Sequence, residues 1–115
     1  MEMTRKSHRA KMLDITPKVR KAVYERDNGF CVTCGAWCEL GHSNSHYIAR
    51  NDMLGGGLGI EQNIVTQCME CHRLMDFGEG KERKEIKLKV KEYLSACYDD
   101  WNEDDLRYKW GSRYK

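Results

Sequence analysis

Two cysteine pairs with the same spacing constrain this chain more than any other feature. Cys31-Val32-Thr33-Cys34 is followed by Gly35, and Cys68-Met69-Glu70-Cys71 begins 34 positions after Cys34. A CxxC turn presents two sulfurs from one tight bend, and two such turns complete the tetrahedral shell that zinc prefers. Six cysteines are many for 115 residues. The start, Met1-Glu2-Met3-Thr4-Arg5-Lys6-Ser7-His8, lacks the apolar stretch of a secretory signal, so the expected compartment is the reducing cytoplasm. There such cysteines hold metal rather than form disulfides. Cys31, Cys34, Cys68 and Cys71 are therefore expected to bind one structural Zn2+. The interval between the pairs is longer than in the shortest zinc ribbons and should contain folded structure. Cys38 reads as a spare thiol beside the first turn, and Cys97 as a small buried hydrophobe.

Charge narrows the partner. The formal net charge is +2, and four thiolates around one dication bring it close to zero. Its distribution is uneven. Residues 1–26 hold eight Lys/Arg against three acids, residues 27–80 two against seven, and residues 81–115 ten against eight. Basic flanks suit a polyanion and an acidic centre suits bound cations. Affinity for nucleic acid must then come from local patches. Purely apolar runs reach two or three residues, which excludes a membrane-spanning helix and a membrane partner.

Patterning gives an α+β domain occupying the whole chain, 1–115. Residues 1–14 read as a basic N-terminal arm, 26–76 as the zinc-containing core and 81–115 as a helical extension. Thr16 caps a helix with Pro17 in its first turn, and Val19, Ala22 and Val23 recur at helical spacing until Asp27-Asn28-Gly29 ends it. Residues 45–49 and 64–66 read as short strands, and the glycine-rich run 55–59 as a wide, flexible connection. A short helix follows over 71–75. Ile86, Val90, Leu94, Cys97 and Trp101 then form the apolar stripe of a long helix, read as packing on the small core. Asn102 caps a last short helix in which Leu106 and Trp110 share a face.

The middle of the chain carries the chemistry. Ser45-His46 lies between the cysteine pairs, Asn63 opens the second strand and His72 follows Cys71 directly. A strand, a loop, a second strand and a helix would gather His46, Asn63 and His72 around one point. Taken singly, His46 could be a half-buried strand histidine, Asn63 a turn residue, and His72 a zinc ligand in place of a cysteine.

Together with Arg26-Asp27 ahead of Cys31, these residues resemble the HNH endonucleases, the His-Me finger or ββα-metal nucleases, in the small form found in bacteriophages. The likeness spans roughly residues 26–76. It implies a ββα-metal core with flanking helices, and cleavage of DNA phosphodiester bonds to leave 5′-phosphate and 3′-hydroxyl ends. It further implies His46 as general base, Asn63 as the residue that holds His46 in its working orientation, and His72 as ligand of one catalytic divalent cation, Mg2+ or Mn2+. A role in phage genome packaging beside the terminase is also implied.

One position departs from the family. The residue before the general base is usually Asp or His and also binds the cation, whereas here it is Ser45, a candidate ligand but a weak, neutral one. Asp76, four residues after His72 and on the same helix face, is the next candidate ligand, with His42 as a substitute. Its alternative reading is a solvated helix-end aspartate. Arg50 could reach a phosphate beside the scissile one, and Arg5, Lys6, Arg9, Lys11, Lys18, Arg20 and Lys21 could lie along a duplex backbone. The competing reading is a zinc-stabilised DNA-binding or adaptor module whose chemistry is weakened by Ser45.

Overall fold

The computed structural model describes residues 7–41 and 43–109. Arg5, Lys6, His42 and Trp110 lie outside them. Among the described residues the order is α1 (His8–Leu13), α2 (Pro17–Arg26), β1 (Asn44–His46), β2 (Ile64–Thr66), α3 (Met69–Phe77) and α4 (Gly80–Cys97). Short 3-10 turns at Glu61–Asn63 and Glu103–Leu106 precede β2 and follow α4. No helix of the described residues is long and apolar enough to cross a membrane.

From residue 7 the expected basic arm is folded onto the domain. Ser7 caps α1 by accepting from the Ala10 amide at 3.0 Å. Leu13 at its end is buried with Leu58 and Tyr108. Arg9 donates from Nε to the Gly55 carbonyl at 2.9 Å. No periodic stripe announces α1, because Leu13 is its one buried side chain. The next helix follows its sequence signals: Thr16 Oγ1 accepts from the Val19 amide at 3.2 Å, and Asn28 and Gly29 turn out of α2 with φ of 56° and 74°.

Strands β1 and β2 pair antiparallel, with Asn44 opposite Thr66, Ser45 opposite Val65 and His46 opposite Ile64. β1 ends at His46 rather than at residue 49. The Tyr47 amide still donates to the Asn63 carbonyl at 2.7 Å, but the Ile48 amide donates to the Asn63 side chain instead of to a strand. A side chain thus replaces the ladder. The following glycines are packed, correcting the expected flexible connection. A Cβ on Gly57 would sit 1.6 Å from the Ile48 carbonyl oxygen, and one on Gly59 2.0 Å from that of Asp14. Only glycine permits these approaches.

The main core joins Tyr47, Ile48 and Val65 to Met75 of α3, Ile86, Val90 and Leu94 of α4, and Leu106. Ile86, Val90 and Leu94 thus occupy the expected stripe. Cys97 does not; it is exposed, because α4 ends there and the chain turns extended at Tyr98. Trp101 lies beyond the helix and packs at the core's edge, its indole donating to the Gln62 carbonyl at 2.8 Å.

Arg26 and Asp27 tie α2 to the rest. The Arg26 guanidinium forks onto Asp27 at 2.7 and 3.1 Å and also donates to the Glu61 and Ile64 carbonyls. Asp27, with its side chain fully buried, accepts from the Thr66 amide at 2.8 Å and from the Tyr93 hydroxyl of α4. One ion pair therefore connects α2, β2 and α4.

Candidate functional site

The four cysteines converge. The sulfurs of Cys31, Cys34, Cys68 and Cys71 all lie within 4.8 Å of one another, close enough to hold a metal ion. Each pair is folded as a turn in which the second cysteine's amide points at the first sulfur, at 3.4 Å for both Cys34 to Cys31 and Cys71 to Cys68. Burial pushes the Cys31 thiol up, but amides aimed at its sulfur, that of Cys34 first, outweigh burial and bring it to about 7. Burial and the neighbouring sulfurs push Cys71 the other way, upward. Four thiols so close cannot all ionise without a cation among them, and a bound metal removes that conflict. Cys38 is buried against this group, its sulfur directed at the Ala36 carbonyl and outside the four-sulfur cluster.

A cleft of about 430 Å³ opens between β1, its following loop, α3 and α4. His46 reaches it from β1, and His72 and Asp76 from successive turns of α3. His72 Nε2 and Asp76 Oδ2 lie 2.7 Å apart, each about one-third exposed. His46 Nε2 is 2.8 Å from the Leu13 carbonyl oxygen, which can only accept, so the neutral ring carries its hydrogen there and leaves Nδ1 as acceptor. Burial holds the His46 pKa below the ordinary histidine value; the Leu13 carbonyl opposes this shift and the charge of Arg50 adds to it. His46 is therefore neutral at physiological pH.

Asn63 stands behind the cleft, fully buried. Its Oδ1 accepts from the Ile48 amide at 2.7 Å, while Nδ2 donates to the Ile48 and Leu58 carbonyls at 3.1 and 2.8 Å. These bonds cinch both ends of the loop that follows His46. They reach the chain two residues past the histidine, not its ring.

Ser45 is 1% exposed and does not line the cleft, because alternate residues of a strand face opposite ways. Asn44, one residue earlier, shares the face of His46 and lines the cleft. Its Oδ1 is buried without a hydrogen-bond partner. An imidazole nitrogen, a carboxylate oxygen and an orphaned amide oxygen on one cleft are donors suited to a divalent cation. Among the described residues, the cysteine cluster is the one group of three or more His, Cys, Asp or Glu side chains close enough to hold an ion; His72 and Asp76 form a pair on the cleft that Asn44 also lines.

The basic residues separate into different places. Arg50 lines the cleft and pairs with Asp14 at 2.8 Å. Arg9 is committed to backbone carbonyls on the loop, and Lys11 and Lys18 are exposed on α1 and α2. Arg20 donates to the Gly41 carbonyl at 2.9 Å beside a second hollow that shares Asn44 and His72, and Lys21 lies 3.9 Å from Glu25. Three cleft residues were missed in the sequence. Asn44 sits two positions before His46, the strand period that could have revealed it. Arg83 and Lys87, four apart on α4, also line the cleft, on a helix whose apolar stripe signals packing alone. Neither a protein-family model nor a curated protein sequence matches the chain.

Proposed function

We propose that this protein is a zinc-stabilised, metal-dependent endonuclease of the HNH type that hydrolyses phosphodiester bonds in DNA. The observation that carries this reading is the shared cleft: a histidine on β1, held through Nε2 on the Leu13 carbonyl, lines the same cleft as an imidazole–carboxylate pair on α3. An antiparallel pair followed by a helix supports a ββα-metal core, and the buried Asn63 clamp supports its loop. In this reading His46 takes a proton from the attacking water through Nδ1 while its Nε2–H stays on Leu13, so the imidazolium that forms keeps its orientation. Asn63 keeps the loop after His46 in place. His72, Asp76 and Asn44 would hold the divalent cation, Mg2+ or Mn2+, which would supply Lewis-acid stabilisation of the phosphate and of the leaving 3′ oxygen. Zn2+ at the four cysteines has a structural role, since four protein sulfurs leave no open position for substrate. Ser45 lies off the cleft, so its weak ligand character does not bear on the cation.

The test is relaxation of supercoiled plasmid by the zinc-loaded protein in Mg2+, Mn2+ or EDTA, beside His46→Ala. The expected result is nicking that needs the divalent ion and disappears in the variant while zinc content and melting temperature persist. Absence of cleavage with every ion, from folded protein, overturns the reading.

A further inference from the structure

The cleft carries more positive charge than the proposed hydrolysis needs, and most of it comes from outside the ββα segment. Among the described residues lining the cleft, Asp76 is the one carboxylate, against Arg50, Arg83 and Lys87. Arg50 is already paired with Asp14. Arg83 spends Nε on the Met75 carbonyl at 3.0 Å, which fixes the guanidinium at the end of α3 and leaves its two terminal nitrogens as donors. Lys87, one turn further along α4, donates to the Tyr47 carbonyl and lies 4.4 Å above the Tyr47 ring. That contact uses one of its three donors and anchors the ammonium beside the residue that follows His46. Two cations are thus held in place by single backbone bonds, four residues apart on one helix face.

We propose that Arg83 and Lys87 form a phosphate clamp, gripping successive phosphodiester groups of the nucleic-acid strand next to the one positioned for cleavage. This rests on the endonuclease reading and deepens it: the strand enters along α4, and its backbone rather than its bases is gripped there. A guanidinium with two free nitrogens matches two phosphate oxygens, and an ammonium supplies a point charge one helical turn away. Such contacts set register without reading sequence.

The clamp is tested by anisotropy of a short fluorescein-labelled duplex, titrated at increasing potassium chloride. The protein is the zinc-loaded His46→Ala form, so the probe is not consumed. Adding Arg83→Gln and Lys87→Gln is expected to weaken binding about tenfold at low salt and to flatten the salt dependence by about two contacts, roughly 0.9 in log–log slope for each. Lys89→Gln, half that charge loss on an exposed position of α4 away from the cleft, is expected to change the slope by less than half a contact. Arg83→Lys with Lys87→Arg should keep most of the slope, which separates lost charge from disturbed folding, and melting temperature is measured for every variant. Binding by the double glutamine variant within twofold of Lys89→Gln overturns the clamp, as does failure of the parent to bind the duplex. If the clamp fails while plasmid nicking by the wild type still depends on His46, the endonuclease reading stands. If nicking is absent but the slope is lost, the clamp stands on a binding cleft and the endonuclease reading falls.

Discussion

Side-chain alternation along β1 decides which residues can act in the cleft, and it separates two neighbours that look interchangeable in the sequence. Asn44 has a buried Oδ1 without a partner on the cleft side; Ser45 has a buried Oγ without a partner on the core side. Asn44→Ala should therefore weaken Mn2+ binding by the zinc-loaded protein. Even a group that only supports a ligand is worth about 10–100-fold in metal affinity, so tenfold is the least expected in a calorimetric titration. Ser45→Ala should leave that affinity unchanged and raise unfolding stability by up to about 1 kcal/mol, because it deletes an unsatisfied buried hydroxyl. Equal effects of the two substitutions on Mn2+ would refute this assignment. His46 gives a pH prediction. Its folded pKa lies below 6.5, since burial disfavours the charged ring. A base must be neutral to act, so nicking should decline as pH falls with a midpoint below 6.5, an ordinary histidine's value. A midpoint at or above that value in a pH–rate profile would contradict the burial argument. His46, Asn63 and His72 were legible because their order and spacing carry the resemblance. Asn44 was not, because it shares the face of His46 only through the two-residue period of a strand, whereas the family pattern rests on the adjacent position.

Elements announced by local chemistry form where the sequence puts them, and those held by tertiary contacts do not. Thr16-Pro17 and Asn28-Gly29 bracket α2 because caps act within one turn of chain. The first helix, α1, is held by one leucine and by partners some forty to a hundred residues away, such as Gly55 for Arg9 and Tyr108 for His8. No local window contains that information. The glycine run reads as freedom in sequence, yet its backbone is pressed against the carbonyls of Ile48 and Asp14. Arg26-Asp27 also gains its meaning only in the fold, as the buried pair that joins α2, β2 and α4. Removing one partner of a buried pair leaves the other charge uncompensated, which costs about 3–5 kcal/mol. Asp27→Asn should lose that much in urea unfolding of the zinc-loaded protein, with no change in zinc content. A loss under about 1 kcal/mol, the worth of an exposed pair, would show that this junction does not hold the elements together.

Over the whole molecule, two stabilising centres, the cysteine cluster and the apolar core, meet at α3, and the question is whether they unfold together. The cysteine cluster fixes the 31–38 turn to the start of α3, while the apolar core fixes α3 to α4 and to the residues after β1. Apart from the cysteines, Val32 is the side chain of the turn that packs on the apolar core, while Trp37 and Phe30 are bridged but exposed. Structural zinc contributes about 10–16 kcal/mol in small zinc-finger peptides near neutral pH. A whole domain is stable by about 5–15 kcal/mol, so the metal outweighs what the apolar core has to spare. The two centres are also coupled, because Asp27 bonds to Thr66 of β2 and Tyr93 of α4 just four residues before Cys31. Chelation of the zinc is therefore expected to unfold the molecule as one unit. Helical circular dichroism from α4 and tryptophan fluorescence should collapse at the same chelator concentration, and both should return on readdition of Zn2+. If the helical signal instead survives while only thiol reactivity of the four cysteines rises, the metal is a local staple and the Asp27 junction does not transmit its loss. The clamp residues on α4 would then keep their helix without zinc, and the metal-free protein would still bind the labelled duplex with the full salt slope.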